Sequence, residues 1–321
     1  MTFELAALAV LFEALLGYPA GLVRRIGHPV IWIGRLILVL DHRLNRPGFA
    51  PGRRRLMGVV TVALVLSAAA LPALALEAAL RPLPFGLLIL GLAGSSLIAQ
   101  RSLHWHVARV ADALETGSLD AAREAVGHIV GRDPQTLDAS GVARAAIESL
   151  AENFSDGVVA PTLWLSVGGL AGGAAYKALN TADSMIGHLT ERHAAFGWAA
   201  ARADDYVNLP ASRLAGMFII AGAALTPGAH PRHSYRAMLR DAPHHRSPNA
   251  GWPEAAMAGA LGLQLNGPKV YAGVLTQDAY MGDGRREATA QDVRMALKIY
   301  RRADALMILL VLAGAGLTLL V

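Results

Sequence analysis

The sequence contains no cysteine among its 321 residues. This absence excludes disulfide bonds, thiolate catalysis, cysteine-ligated zinc and iron–sulfur clusters. Charged residues make up only 17% of the chain, whereas a typical soluble domain carries about 25%. Aromatic residues make up 6%, too few to favour platforms on which bases could stack. We therefore expect no nucleic-acid partner.

Apolar residues are abundant, at 54%, and the mean hydropathy is +0.39. Residues 56–76 and 82–100 are free of charge, and each stretch is long enough to cross about 30 Å of hydrocarbon. The apolar residues 305–321 predict a third span. Residues 158–176 and 207–226 are apolar but interrupted by Gly or Pro, so each either spans or enters and returns. For 158–176 we favour a short, buried or re-entrant hairpin arm. The fold class predicted is an all-α, polytopic helical bundle in the lipid bilayer.

Basic residues concentrate between the apolar stretches. Residues 21–55 hold eight Arg and a single acid, and residues 227–304 hold eleven Lys or Arg. Cytoplasmic loops carry such an excess of positive charge, so both regions are predicted to be cytoplasmic. Residues 101–157 show helical periodicity, and no stretch convincingly predicts a strand. We expect one integral domain of the inner (cell) membrane over residues 1–321, with polar helical insertions at 101–157 and 227–304.

Two acidic patterns suggest chemistry. Glu13 lies within an apolar stretch, where a carboxylate is costly, so it should face the bundle interior or water. Glu148, Glu152 and Asp156 follow one another at intervals of four and would share one face of a continuing helix. Three like charges there need a counter-ion, and oxygen ligands of this type suit Mg²⁺ with a phosphate substrate. The alternative is a solvated helix end, which Gly157 would terminate.

A second polar cluster follows the Gly-rich stretch. Lys177, Thr181, Ser184 and His188 fall on one helical face, and Asn180 and Asp183 lie on the adjacent one. A buried Lys suits a phosphate group, although a polar seam between helices would show the same pattern. Two more clusters come later in the chain, and no P-loop, zinc-protease or dinucleotide motif is present. Their polar members include Arg202, Asp204, Asp205, Asn208, His244, His245, Arg246 and Asn249.

Six motifs occur in order along the chain: HPVIWIGR at 28–35, GRD at 131–133, ENFSDGVVAP at 152–161, AYKALNTADSM at 175–185, FGWAAARADD at 196–205 and SPNAGWPEAAMAGALG at 247–262. Together they resemble the CobD/CbiB family of adenosylcobinamide-phosphate synthases over nearly the whole chain. Phe154 stands where we expect Thr, and Ala182 where we expect Leu; neither is a ligating position.

The resemblance implies an ATP-dependent amide ligase that joins aminopropanol or its O-phosphate to a propionate of adenosylcobyric acid at a cytoplasmic site. ATP would serve as cosubstrate and Mg²⁺ as cofactor, with other cobalamin-assembly enzymes as partners. The implied catalytic residues are Glu152, Asp156, Lys177 and Asp183, of which Glu152, Asp156 and Asp183 would bind the metal. The implied substrate-binding residues are Asn153, Ser155, Asn180, Ser184, Arg202, Asp204, Asp205, Arg246 and Asn249.

Other classes of protein share some of these features. A corrinoid transporter would also show intramembrane acids and helices broken by Gly and Pro. A non-catalytic membrane scaffold for cobalamin enzymes would bind corrinoids without turnover. A prenyltransferase-like enzyme would also use carboxylates on helices to hold Mg²⁺-pyrophosphate, but the complement of Lys, Asn and Arg favours a bulkier polar substrate.

Overall fold

A computed structural model describes residues 2–18, 21, 25, 27–131, 133–271 and 274–318 of the chain. The motif residue Arg132 and the end of the predicted span 305–321 lie outside these residues. The described residues are mostly helical, which confirms the all-α class. The helices are α1 (Phe3–Leu16), α2 (Pro29–Leu44), α3 (Pro51–Leu80), α4 (Gly86–Ser95), α5 (Gln100–Glu115), α6 (Leu119–Gly127), α7 (Ala139–Phe154), α8 (Ala160–Ile186), α9 (Trp198–Ala224), α10 (Pro231–Asp241), α11 (Gly251–Leu261) and α12 (Ala290–Thr318).

The chain forms two compact units. The first comprises Met1–Ala99, Ala160–Asn208 and Leu310–Val321. The second comprises Gln100–Val159 and Leu209–Leu309, and it holds the whole of the two polar regions predicted as insertions, 101–157 and 227–304. That prediction of one domain with insertions stays a prediction.

Over the described residues, four helical segments are long and apolar enough to cross a membrane. They are Pro51–Leu80, Gly86–Glu115, Ala139–Ile186 and Trp198–Ala224. The first confirms the span predicted at 56–76, and helix α3 continues through Pro72 instead of ending there. The second starts four residues later than predicted, after Pro82 and Pro84, and a turn separates α4 from α5.

The predicted span at 305–321 is not among these segments. Helix α12 is continuous from Ala290 to Thr318. Residues 319–321 lie outside the described residues, and the last 18 residues described, 301–318, include Arg301, Arg302 and Asp304. The span at 305–321 therefore stays a prediction.

Close packing in the first unit depends on small residues. Helix α4 lies against α1, and a Cβ at Gly91 would come within 2.5 Å of the Leu8 Cβ. A Cβ at Gly94 would lie 3.2 Å from that of Ala9. Small residues therefore allow these two helices to approach closely. Glu13 of α1 is fully buried, as its position in an apolar stretch predicts.

Helix α8 is interrupted at Gly168 and Gly169. Gly169 has φ +63° and ψ −158°, a backbone conformation that is essentially restricted to Gly. The amide N of Leu170 begins the next helical stretch and donates to Glu77 Oε2 at 2.8 Å, and Arg81 pairs with Glu77 Oε1 at 2.9 Å. The chain turns back at this break, because a Cβ at Gly172 would lie 2.6 Å from the Trp164 carbonyl oxygen. The placement of residues 158–176 as a short, buried or re-entrant hairpin arm in the membrane stays a prediction. The freed backbone group finds a buried carboxylate, as a non-aqueous environment requires.

The second unit contains four short strands, which the sequence analysis did not predict. Strand β1 (Leu265–Asn266) pairs antiparallel with β4 (Tyr280–Met281), and β2 (Lys269–Tyr271) pairs with β3 (Val274–Thr276). Strands of two or three residues are too short to show the alternation that identifies a strand in a sequence. The backbone amide of Asn266 donates to the buried Glu148 carboxylate at 2.8 Å, which ties β1 to helix α7.

Candidate functional site

Three carboxylates meet in the first unit. Asp183 lies near the end of α8, and Asp204 and Asp205 lie in the first turns of α9. Asp183 repels both Asp204 and Asp205, so the three groups are close enough to interact electrostatically. Gly187 provides space, because a Cβ at this position would overlap the Asp183 carboxylate. The structure thus brings together three of the predicted site residues.

A buried chain of hydrogen bonds fixes one of these carboxylates. The Tyr176 hydroxyl donates to Asn208 Oδ1 at 2.9 Å, and Asn208 Nδ2 donates to Asp204 Oδ2 at 2.9 Å. Tyr176 and Asn208 are nearly inaccessible to solvent, with relative exposures of 2% and 1%. The predicted site omitted both residues, although Asn208 lies one helical turn after Asp204. Asp204 is held in one orientation beside Asp183 and Asp205.

The remaining predicted residues of this unit surround the carboxylates to different degrees. Asn180 is close enough to the Asp204 carboxylate to interact with it. Ser184 is exposed, and its hydroxyl donates to the Asn180 carbonyl oxygen at 2.9 Å. Arg202 is mostly exposed, and its nearest nitrogen lies 3.7 Å from Asp205 Oδ2. These three side chains lie on α8 and α9 together with the carboxylates.

Lys177 lies near the N-terminal motif that begins at His28. Burial and, secondly, the Lys177 ammonium hold the pKa of His28 below its usual value. The His28 imidazole accepts from the Val30 amide at 3.3 Å and so caps helix α2. The AYKALNTADSM and HPVIWIGR motifs therefore meet within the first unit, at a half-buried cation.

The carboxylate helix of the second unit does not end at Gly157. Helix α7 continues beyond Phe154 into a π-helical turn over Ser155–Val159. The prediction that Gly157 terminates the helix is therefore wrong, and the chain passes through this turn into α8. A π-helical turn is an unfavourable local conformation that occurs frequently at functional sites. The ENFSDGVVAP motif therefore lies at an irregular turn between α7 and α8. The other irregular point of this run is the break at Gly168–Gly169.

The polar residues of this helix have distinct environments. Glu148 is buried and accepts from the Asn266 amide, which makes it a structural group. Glu152 and Asn153 are exposed, and Asp156 is half-buried. Asn153 Nδ2 donates to the Ser149 carbonyl oxygen at 2.9 Å. Ser155 is 1% exposed, and its hydroxyl has no hydrogen-bond partner among the described residues. Such an orphaned polar atom calls for a water molecule or a bound group.

The SPNAGWPEAAMAGALG motif comprises a short loop, residues 247–250, and helix α11. Asn249 is buried, and its Oδ1 accepts from Ser212 Oγ at 3.1 Å and from Arg213 at 3.2 Å. The Arg213 guanidinium lies over the Trp252 ring, 4.4 Å from its centroid. Arg246 is exposed. Asn249 therefore orients a cation that the sequence analysis did not include, and Arg246 remains open to solvent.

The predicted site also omitted the acid Asp41. Its carboxylate accepts from Asn45 Nδ2 at 2.8 Å and from Arg192 Nη2 at 2.6 Å. Burial alone would raise the pKa of Asp41, but the bonds from Asn45 and Arg192 outweigh it, and the pKa is lowered. This contact holds the segment 187–197, which connects the Asp183 helix to the Asp204 helix. The available signal was that Asp41 is the single acid in residues 21–55.

The donors available for a metal ion are carboxylates. Within the described ranges, no group of three or more His, Asp and Glu side chains is arranged to hold a metal ion by itself. Mg²⁺ does not require such a group, because it commonly binds one or two carboxylates and takes its other ligands from substrate phosphates and water. The mutually repelling carboxylates of Asp183, Asp204 and Asp205 fit a cation held in this way.

Comparison with known proteins identifies close relatives along the full length. A sequence model of the CobD/Cbib protein family matches residues 6–300. The chain is 48% identical to the cobalamin biosynthesis protein CobD of Sinorhizobium fredii over 94% of its own length and 93% of the relative's. The proteins of the same name from Rhodobacter capsulatus and Brucella suis are 48% and 44% identical, over 94% and 96% of this chain and 94% and 95% of theirs. No solved structure is detectably similar to the chain.

Proposed function

Since this chain belongs to the CobD/Cbib protein family and has a role in cobalamin biosynthesis, we propose that it is an ATP-dependent amide ligase. It joins the amine of aminopropanol, or of aminopropanol O-phosphate, to a propionate carboxylate of adenosylcobyric acid. The product is adenosylcobinamide or its phosphate. The observation that carries the proposal is the set of three close carboxylates, one of them fixed by the buried chain from Tyr176 through Asn208 to Asp204.

The proposed chemistry explains why a site needs both acids and cations. A propionate carboxylate has no usable leaving group, so one of its oxygens first attacks the γ-phosphorus of ATP and ADP departs. The amine nitrogen then forms the C–N bond, inorganic phosphate leaves, and the proton of the ammonium passes to a carboxylate base. Asp183 is the candidate for that base, because its carboxylate lies beside the two other acids of the cluster, near the end of α8.

Charge neutralisation falls to the basic side chains and a divalent cation. Lys177, Arg202 and Arg246 are the candidates for binding phosphate or carboxylate oxygens. The candidate metal ligands are Asp183, Glu152 and Asp156, and bound Mg²⁺ would neutralise the phosphate charge and orient the γ-phosphate. Asn153, Asn180, Ser184 and Asn249 are the candidates for the peripheral amides of the corrin. Ser155, Asp204 and Asp205 are proposed to bind or position substrate.

One assay tests the ligase directly. Purified protein in nanodiscs is incubated with adenosylcobyric acid, aminopropanol phosphate, ATP and Mg²⁺, and products are identified by mass spectrometry. We expect amide product and ADP in equal amounts. Formation of AMP and pyrophosphate instead would show that ATP adenylates the carboxylate and does not phosphorylate it. Corrinoid binding without any amide product would support a scaffold, and corrinoid movement into vesicles without ATP cleavage would support a transporter.

The positive-inside distribution predicts the orientation of the protein in the inner membrane. Because the chain has no cysteine, single cysteines report topology without background. Gly48→Cys and His244→Cys lie at exposed positions of the two basic regions, and nothing lies within 4 Å of a Cβ at Gly48. Ser234 is unsuitable, because it is fully buried. We expect an impermeant thiol reagent to label both positions only after cells are opened. Labelling in intact cells would place these regions outside and contradict a cytoplasmic site.

A further inference from the structure

Helix α10 has two chemically different faces. Ser234, Ala237, Met238 and Asp241 form its buried face. The Ser234 hydroxyl donates to the Ala256 carbonyl oxygen of α11 at 2.7 Å, and a Cβ on Gly259 of α11 would lie 2.8 Å from the Ala237 Cβ. This face is fixed by contacts within the second unit, so the orientation of the opposite face is fixed as well.

The opposite face combines positive charge with large apolar groups. Arg232, Tyr235, Arg236, Leu239 and Arg240 follow one another at helical intervals of three and one. The side chains of Tyr235 and Leu239 are large, and these residues are 48% and 49% exposed. The helix has one acid, Asp241, which is buried. The outer face therefore presents cations and apolar groups without any carboxylate of its own.

Arg240 is not available to a partner. Its guanidinium pairs with Asp241 at 2.6 Å and with Asp283 at 2.6 Å. The hydrogen bond from Arg240 lowers the pKa of the Asp283 carboxyl, so this pair stays charged across the physiological range. Arg232 and Arg236 flank the two apolar side chains and carry the charge of the outer face.

The chain places α10 close to a membrane-spanning segment. Helix α9 ends at Ala224, and α10 begins at Pro231. The six residues between them can extend over about 20 Å at most. Their course is shorter than that, because the Ala229 amide donates to the Thr226 carbonyl oxygen and the His230 amide donates to that of Ala260. Met238 also contacts α9, since a Cβ on Gly216 would lie 2.6 Å from its sulfur.

We propose that the outer face of α10 lies on the anionic surface of the membrane. Arg232 and Arg236 bind lipid phosphate groups, and Tyr235 and Leu239 enter the boundary between the headgroups and the acyl chains. Amphipathic helices with basic and apolar residues on one side bind at this depth, and tyrosine is enriched there. Each arginine near an anionic leaflet strengthens such binding.

A soluble phosphate compound is a poorer match for this surface. A small anion binds in a concave site with several converging donors, whereas the outer face of α10 is the convex side of a helix. Two large apolar side chains between the arginines would gain nothing from a small polar anion. A lipid surface supplies phosphates and hydrocarbon together, at the place where the chain leaves the membrane.

Helix α6 offers a matched control within the same unit. It begins at Leu119, close after Glu115, where another membrane-spanning segment ends. Its exposed residues include the acids Asp120 and Glu124 and no large apolar side chain. Each of the two helices thus begins within a few residues of the end of a span, and they differ in the charge and hydrophobicity of the exposed face.

The test uses single cysteines, Leu239→Cys and Glu124→Cys, each labelled with the same environment-sensitive fluorophore. The full-length protein is placed in nanodiscs of phosphatidylcholine with or without phosphatidylglycerol. Lipids brominated in the acyl chain quench a label at the membrane boundary, and iodide quenches a label in water. With phosphatidylglycerol present, we expect brominated lipid to quench the label at 239 several-fold more than the label at 124, and iodide to show the reverse order.

Charge variants identify the role of the arginines. Arg232→Gln with Arg236→Gln should lower bromolipid quenching at 239 about twofold or more, whereas Arg232→Lys with Arg236→Lys should preserve it. Both double variants alter exposed residues, and an unchanged elution profile of the purified protein verifies their folding. Equal iodide quenching at 239 and 124 would overturn the proposal. So would bromolipid quenching that is the same with and without phosphatidylglycerol.

Discussion

Replacing Asp183 with Asn is expected to lower the rate of amide formation by about a hundredfold or more, without loss of stability. Asn keeps the shape of the side chain and removes its charge. The change therefore deletes the proposed base and metal ligand. It also relieves the repulsion that Asp183 exerts on Asp204 and Asp205, so the free energy of unfolding should stay constant or rise slightly. Product formation by mass spectrometry and thermal unfolding in detergent measure the two effects.

A fall in activity without a fall in stability distinguishes a functional carboxylate from a structural one. Asp120→Asn is the matched control, because it removes one charge from a side chain that is 94% exposed, and it should change neither property. Normal turnover in Asp183→Asn would remove this residue from the chemistry. Parallel losses of activity and stability would instead assign it to packing between α8 and α9.

Gly169→Ala should clearly destabilise the first unit. The backbone at Gly169 has a conformation that costs other residues about 1–3 kcal/mol. The added methyl group would also lie 2.8 Å from Glu77 Oε1 and nearer still to Oε2, which would push the carboxylate away from the Leu170 amide. We expect the thermal unfolding midpoint in detergent to fall by several degrees.

Gly168→Ala is the control for this change. Gly168 has a negative φ of −118°, and nothing lies within 4 Å of a Cβ built at this position. The unfolding midpoint should therefore change little. If both variants unfold at the same temperature as the parent protein, the break in α8 does not need Gly169, and the contact with Glu77 contributes little to stability.

The sequence was sufficient for the parts of the fold that depend on long periodic patterns. Uncharged stretches, for example, predicted the span in α3. The break at Gly169 could not be predicted, because it depends on Glu77, which lies about 90 residues earlier in the chain and supplies the missing backbone acceptor. Short strands such as β1 also escape detection, since two residues contain no period.

In the candidate site too, local sequence patterns could be recognised, whereas contacts between distant segments could not. Motif residues on one helix, such as Asp204 and Asp205, were recognised because they are adjacent in sequence. Tyr176 and Asn208 were not placed in the site, because their role depends on a hydrogen bond between two helices. Gly157 was expected to end a helix on the basis of its intrinsic preference, yet the chain continues through a π-helical turn. Tertiary packing overrides such local preferences.

The contact between Asp41 and Arg192 sets an order of events during synthesis. The two residues are separated by 151 positions. A ribosome that adds about 5–20 residues per second completes this interval in roughly 8–30 seconds. For that time Asp41 lacks the arginine with which it pairs in the folded protein, although the arginines of residues 21–55 are already near it in sequence. The native contact, and with it the placement of the 187–197 connection, therefore forms only after the intervening segments have been synthesised.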